Sequence, residues 1–585
     1  MTLTIAAIFA LFSSSLADEP VTLERIVVSR PSSGGYPAYA ITGQQIERKN
    51  LDSFSDGLDY LPGVDLRSRG HFGIQGDLSF RGSTYEQVDI AIDGVKFMDP
   101  QTGHYNLDIP LTQADIERME VTSGGLAGSV NIVTKDPGAK GFQAGTLFGE
   151  HALSGEDFSL GMPGQILRRV SFEHKEAKAA VPNTDFEYNT ASLFLAKELE
   201  KIKLDTLFGY QQKDYGADSF YSNNFPEEEE HTRTILVKTG VDSSFISGSL
   251  KNNLYLRRHD DKFILRRNNP GTANYHTTYV YGFNSRFNLP PEYQGAVFGL
   301  DIGRDEINSS NLGKHNRLYE AGSVDFSPRL TDKLALDLGG RIDHYQKWGN
   351  QESYNFGSSY DINEKIKIDG SFRHSFRLPT FTELYYSDAA NIGSAELKAE
   401  KSDNFQAGLN FKDGFFACGI DAFLRRGENL IDWTRVATSD PWQVTNLGRV
   451  DFYGAEFNSR IKPKLCYGGL ILKEAVFSYS HTVADKKTEG YLSKYALDIL
   501  AQRYILEIYS GVWGLDVNWQ LSYSQRDYGE TYFVGNLNIS KEFSGRDFSV
   551  EPFFKIDNFS DTEYSEVGGV VQPGRWIKSG LKLRW

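Results

Sequence analysis

Ile202-Lys203-Leu204-Asp205-Thr206-Leu207-Phe208-Gly209-Tyr210 alternates: Ile202, Leu204, Thr206, Phe208 and Tyr210 stand against Lys203, Asp205 and Gly209. Successive side chains of a β-strand point to opposite faces, so a period of two predicts a strand with one apolar face. The pattern returns in Leu334, Leu336, Leu338 and Ile342 against Asp337, Gly339, Arg341 and Asp343, and again in Ile366, Ile368, Gly370, Phe372 and Phe376 against Lys365, Lys367, Asp369, Ser371 and Arg373. It runs to the last residue, with Ile577, Leu581, Leu583 and Trp585 on one face and Lys578, Lys582 and Arg584 on the other. Soluble sandwiches alternate too, but two features separate this chain from them. Its strands often reach ten or more residues, against ~5–6 in soluble proteins. Its connections are of two kinds, short Gly/Asp/Asn turns and long polar loops such as 215–231 and 388–399. Short turns at one rim and long loops at the other predict an all-β transmembrane barrel of antiparallel strands.

Composition agrees. The 585 residues hold 39 phenylalanines, 31 tyrosines and 56 glycines but two cysteines, as aromatic girdles and closely packed strands require. Mean hydropathy is −0.42, which is ordinary for a barrel because only every second strand residue meets lipid. After residue 20 no run approaches the ~18–20 apolar residues of a membrane-spanning helix. The net charge of −15 excludes nucleic acid as a partner, which would favour a basic surface. Cys418 and Cys466 each follow a turn with one strand expected between them, so they read as two free thiols. At the N-terminus, apolar residues 3–12 and Ser15-Leu16-Ala17 read as an export signal over 1–17, although no Lys or Arg precedes Arg25.

Residues 38–137 have another texture. Ile41-Thr42-Gly43 leads into a short helix at 44–49, and Phe54, Leu58 and Leu61 at helical spacing predict a second helix, stopped by Pro62-Gly63. Four short strands follow, at 78–82, 88–94, 116–121 and 129–134. This small α/β unit precedes residues 138–585, 448 in all. At about 20 residues per strand and connection these make roughly 22 strands, a barrel wide enough to need a plug.

The motifs along the chain resemble one family, the TonB-dependent outer-membrane receptors. Glu24-Arg25-Ile26-Val27-Val28-Ser29 resembles the TonB box, in a periplasmic segment at 18–37. Leu58-Asp59-Tyr60-Leu61-Pro62-Gly63-Val64, Phe80-Arg81-Gly82, Ile92-Asp93-Gly94-Val95 and Val130-Asn131-Ile132-Val133-Thr134-Lys135 resemble the plug motifs in order. Phe376-Arg377-Leu378-Pro379-Thr380-Phe381-Thr382-Glu383-Leu384-Tyr385 resembles the mid-barrel motif, and 555–564 with Pro573-Gly574-Arg575 the last strands. One departure stands out: the chain runs from Val121 to Ala127 through only Thr122-Ser123-Gly124-Gly125-Leu126, where the family carries a longer plug loop.

The resemblance implies a monomeric receptor in the outer membrane of a diderm bacterium, surrounded by outer-membrane lipid. Its partners would be the TonB C-terminal domain, energised from the inner membrane, and a scarce large ligand imported without a chemical step. No nucleophile elbow, phosphate loop or closely spaced metal-ligand set stands in the sequence, so no enzyme and no cofactor is expected. Calcium in the extracellular loops is an option, but Glu227 to Glu230 read as a solvated loop because consecutive acids in extended chain point to opposite sides. Ligand contacts are expected from two plug loops, at 68–75 (Ser68, Arg69, His71, Phe72, Gln75) and 97–106 (Asp99, Gln101, His104, Tyr105, Asn106). In the barrel, Tyr215, Asp218, Phe220, Tyr221, Tyr385, Tyr386 and Asp388 are expected at strand–loop junctions, as ligand contacts or as interface girdle. Asp99-Pro100-Gln101-Thr102-Gly103-His104 and 215–221 resemble most the vitamin B12 (cobalamin) branch. A ferric siderophore is the alternative, which predicts a pocket rich in arginine and aromatics. A passive porin or adhesin would lack box and plug, and a signalling transducer would place a folded domain before the box, where only residues 18–23 stand after the expected cleavage site.

Overall fold

The structure is a computed structural model describing residues 37–585 except 291–294, 464, 487–489, 496–497, 528 and 530. The expected signal at 1–17 and the expected box at 24–29 lie outside the described residues. The plug opens with strand Pro37–Thr42 and helix Gly43–Lys49. Thr42 starts that helix with a capping box: its hydroxyl accepts the Gln45 N–H, and its own N–H donates to the Gln45 side chain at 2.8 Å. Asn50 ends it in the left-handed region at φ 49. The helix expected over 53–61 is a 3-10 helix, Ser55–Tyr60. The Ser53 hydroxyl and the Asp56 carboxylate bond each other and nearby backbone N–H groups, and such local bonds compete with α-helical ones. Gly63 follows at φ +70, where a side chain would collide with the Glu456 carboxylate of the barrel.

A five-stranded sheet forms the plug's centre, in the order Pro37–Thr42, Ile116–Thr122, Gly128–Thr134, Val88–Ile92, Val95–Lys96. Only Val88–Ile92 and Gly128–Thr134 are parallel. Val64–Ser68 and Gly76–Phe80 pair apart as a hairpin. Ile46, Leu58, Ile90, Ile92, Ile116 and Met119 sit essentially out of solvent in the plug core.

Around the plug the sheet closes, Gly141–Gly149 pairing with Trp576–Arg584. Of the 24 segments in the closed order, Leu465–Tyr467 and Phe543–Ser544 continue a neighbour past a break, which leaves 22 spanning strands among the described residues. The longest reach 17 residues, as in Glu229–Phe245. One rim carries tight turns such as 199–201, 246–247 and 414–415, and the other long loops at 217–228, 378–399, 429–448 and 558–575, as well as the short strand Leu492–Ser493. Ile202, Leu204 and Phe208 are each about two-fifths exposed on the outer face, a surface that requires lipid. Leu207, out of phase with them, faces inward: with Leu236, Tyr255 and Val280 it joins the apolar core of the plug. Cys418 and Cys466 are free thiols, on a strand and in a short segment with strand Arg449–Ile461 between them in sequence.

Candidate functional site

At the long-loop rim the plug, four loop regions and the ends of strands Gly248–Ile264 and Ala273–Asn288 enclose a cup. Its floor comes from Thr84-Tyr85-Glu86 and Gln101-Thr102 with His104 and Tyr105 of the plug. Its walls come from Tyr221, Phe225 and Glu228, from Phe263 and His276, from Tyr386 and Asp388, from Ile431-Asp432-Trp433, and from Lys494-Tyr495. The loops are fastened above the plug by a small sheet, in the order Asn391–Ile392, Trp442–Asn446, Ile431–Arg435, Leu492–Ser493. Asp432, 2% exposed, fixes two loops together by accepting the Ser493 hydroxyl and the Tyr495 N–H.

The 97–106 loop reaches this cup through Gln101, His104 and Tyr105. His104 stacks on Tyr85 at 4.3 Å between centroids, with Nδ1 2.6 Å from Asp77. Tyr105 donates to Asp261 (3.0 Å) and to Glu230. Asp99 and Asn106 stand behind the floor as braces: Asp99 binds the Arg257 guanidinium, and Asn106 accepts the Asp99 N–H at 2.8 Å.

The 68–75 loop does not line the cup; it packs on the barrel wall elsewhere. Arg69, 2% exposed, pairs with Asp77 at 2.8 Å and donates to the Phe220 carbonyl. Phe72, at φ 61, packs on Phe186 (5.1 Å) and edge-on to Trp576 (5.6 Å). His71 meets Trp576 at 4.9 Å, and the Ser68 N–H donates to Glu566 at 2.8 Å. Gln75 touches the site indirectly, through its 2.8 Å bond to the Tyr221 hydroxyl.

Of the barrel residues, Tyr221, Tyr386 and Asp388 line the cup. Tyr215 and Phe220 are buried beside it, and Asp218 receives the Ser219 hydroxyl outside it. Tyr385 is not at a strand–loop junction: it ends the helix Phe381–Tyr385, started by a Thr380–Glu383 capping box, and stacks on His315 at 3.6 Å. Glu227 to Glu230 alternate, with Glu228 and Glu230 buried and Glu227 exposed. Glu230 collects the hydroxyls of Tyr105, Tyr215 and Tyr221, tying plug to barrel beneath the cup. Sequence reasoning missed Tyr85, Glu86, Trp433, Lys494 and Tyr495. Tyr85-Glu86 could have been found three residues beyond Phe80-Arg81-Gly82; Trp433 and Lys494 carried no local signal.

Among the described lining residues the cup holds eight aromatic rings, six carboxyl side chains, one lysine and no arginine. Burial pushes the carboxyls of Glu86 and Glu228 up to about 8, and for Glu86 the charge of Glu383 adds to it. Glu566, against the 68–75 loop, is likewise pushed up to about 8 by burial. Burial moves imidazoles the other way, His71 down to about 3 and His104 below its usual range. A raised carboxyl stabilises the fold fully below its unfolded value near 4.5 and ceases to do so as pH rises through about 8. The histidines' contribution is present above 6.5 and lost only as pH falls below it. Between about pH 6.5 and 8.5 the glutamates therefore set the slope. The melting temperature should fall as pH rises across that window, and Glu86→Gln should flatten the fall. A slope unchanged in Glu86→Gln would refute the assignment.

The family model described as "TonB dependent receptor-like, beta-barrel" matches residues 129–558, and that of the TonB-dependent Receptor Plug Domain matches 30–131. The chain belongs to the TonB-dependent receptors. It is therefore an outer-membrane protein of a family of receptors and transporters that work with TonB on small-molecule ligands. It is 20% identical over 562 residues to the vitamin B12 transporter BtuB of Vibrio vulnificus, covering 91% of this chain and 86% of that protein. To the protein of that name from Photobacterium profundum it is 23% identical over 478 residues, 74% of each chain. Among solved structures it is similar in fold to a mutant of the ferric enterobactin receptor PfeA of Pseudomonas aeruginosa (TM-score 0.77, 15% identity, 97% of this chain and 100% of that one). It is similar too to the siderophore receptor PirA of the same organism (TM-score 0.72, 16% identity, 93% and 98%).

Proposed function

We propose that this receptor imports a large, uncharged, amide-bearing ligand of the corrinoid class, vitamin B12, with residues 24–29 as the segment that TonB grips and a single barrel as the working unit. The observation that carries the reading is the charge of the cup. An anionic ferric chelate would meet six carboxyl groups and one lysine there, and no guanidinium among the described lining residues. A corrinoid presents carboxamides around an apolar ring. Its carbonyls suit the carboxyls of Glu86 and Glu228, which are largely protonated at neutral pH and so can donate. Its ring suits the faces of Trp433, Tyr386 and Tyr85. The names of the sequence relatives point the same way, while the siderophore receptors share the fold alone. A passive pore needs an open lumen, and here the plug fills it.

Calorimetry of the purified protein with cyanocobalamin, beside a panel of ferric siderophores, tests this. Binding of cyanocobalamin at micromolar or tighter affinity is expected. No binding to it, or tighter binding of a ferric siderophore, overturns the proposal. Trp433 meets Tyr386 edge-on at 6.3 Å and carries Lys494 at 5.8 Å from its ring. Trp433→Ala should weaken binding by roughly 2 kcal/mol, the usual cost of truncating a central aromatic. Wild-type affinity in that variant would remove Trp433 from the site.

A further inference from the structure

Among the described lining residues of the cup one carries a fixed positive charge, Lys494. Its backbone is held in place. The Lys494 N–H donates to the Trp433 carbonyl at 3.0 Å, and the strand Leu492–Ser493 just before it pairs with Ile431–Arg435. The side chain stands among three rings. Its ammonium lies 5.8 Å from the centre of Trp433, 5.9 Å from Trp442 and 5.3 Å from Tyr495. Ring faces attract a cation without using up its hydrogen-bond donors. An ammonium has three such donors. Among the described residues this one has the Asn391 side-chain carbonyl as its hydrogen-bond partner, at 3.5 Å, and no carboxylate within ion-pair distance.

The carboxyl groups of the cup are engaged already. Asp432 takes the Trp433 and Tyr495 N–H groups and the Ser493 hydroxyl. Asp388 takes the Tyr386 hydroxyl and the N–H groups of Ala390 and Asn391. Glu383 pairs with Arg377 at 2.9 Å, and Asp261 accepts from Tyr105 and Gln101. Glu86 and Glu228, pushed up to about 8, are largely protonated at neutral pH. Lys494 therefore has donors to give, while the carboxylates around it have acceptor positions filled.

A corrinoid that keeps its nucleotide loop is neutral overall because two charges cancel. The cobalt–corrin centre is positive and the phosphodiester of the loop is negative. Such a ligand still brings one anion into the cup, and covering an anion without a partner is costly. We propose that Lys494 is the phosphodiester subsite of the cup, and that it makes this receptor selective for corrinoids with a complete nucleotide loop over those that lack it. This rests on the reading of the ligand as a corrinoid. A corrinoid without the anion covers the ammonium and leaves it unpaired, which costs affinity.

Dicyanocobinamide, which lacks the phosphodiester and the base beyond it, supplies the comparison. In calorimetry the wild-type protein should prefer cyanocobalamin over dicyanocobinamide by at least tenfold. Lys494→Met should cut that preference to less than threefold, chiefly by weakening cyanocobalamin, and Lys494→Arg should keep it. Absence of the preference in wild type overturns the proposal. So does an equal loss for both ligands in Lys494→Met, the result for a lysine that merely braces Asn391. A second arm uses the unaltered protein. Saturating cyanocobalamin should slow reductive methylation of the Lys494 amine, read by mass spectrometry, at least fivefold, and saturating dicyanocobinamide less than twofold. Equal protection by the two, or none by either, overturns the subsite even where Lys494→Met fails to fold. If the wild type binds neither corrinoid, the functional reading itself fails and the subsite with it. Binding of both with no dependence on Lys494 sinks the subsite alone.

Discussion

Deleting residues 24–29 is expected to abolish energised uptake, down to the level of cells lacking TonB, while surface binding of the ligand stays unchanged. The physical reason lies in Ile26-Val27-Val28, whose β-branched side chains favour an extended chain that can add as a strand to a partner's sheet edge. In strand addition the main-chain hydrogen bonds carry the pull, so a single proline should do nearly as much damage as the deletion. Ile26→Pro removes an N–H and resists pairing; Ile26→Ala removes only side-chain surface and should keep most of the uptake. Comparing initial uptake rates with bound ligand per cell separates coupling from recognition. Full uptake after the deletion would mean that the ligand crosses passively.

Glu456→Ala is expected to unseat the plug. Arg81 donates to both oxygens of Glu456, each at 2.8 Å, and the Tyr39 hydroxyl donates to the same carboxylate at 2.6 Å. The Glu456 side chain is 0% exposed and that of Arg81 6%. Removing one member strands a buried guanidinium, which costs about 3–5 kcal/mol, whereas replacing both by apolar residues of similar volume is close to neutral. Glu456→Ala should therefore lower the melting temperature by several degrees and raise ion conductance in planar bilayers. Arg81→Leu combined with Glu456→Leu should recover most of both. A silent bilayer and an unchanged melting temperature in Glu456→Ala would show that the plug is held elsewhere.

Legibility differed between the fold and the site. The alternation at 202–210 and 366–376 predicted strands, the apolar final face ending at Trp585 predicted a lipid-facing closing strand, and the estimate of roughly 22 strands matches the closed barrel. The second helix of the plug was misjudged because apolar spacing does not register that Ser53 and Asp56 hydrogen-bond their own backbone. The candidate site was legible in part: Gln101, His104 and Tyr105 reach the cup with Tyr221, Tyr386 and Asp388, yet the 68–75 loop, equally aromatic and polar, turns to the wall at Trp576.

Periodicity and turn chemistry are local properties, written within a few residues of one another. From these the chain by itself determined its strands, their outward faces, the place of the plug ahead of them and the ordered motifs of the family. Closure of the sheet is not local: it brings Tyr105 to Glu230, Arg81 to Glu456 and Tyr85 to Tyr495, partners more than a hundred residues apart. Only the tertiary structure decided that Leu207 faces the plug rather than lipid, and that Trp433 and Lys494 overhang the cup. Which inward residue meets which plug residue depends on how the plug is rotated within the lumen, and no short stretch of sequence encodes that angle.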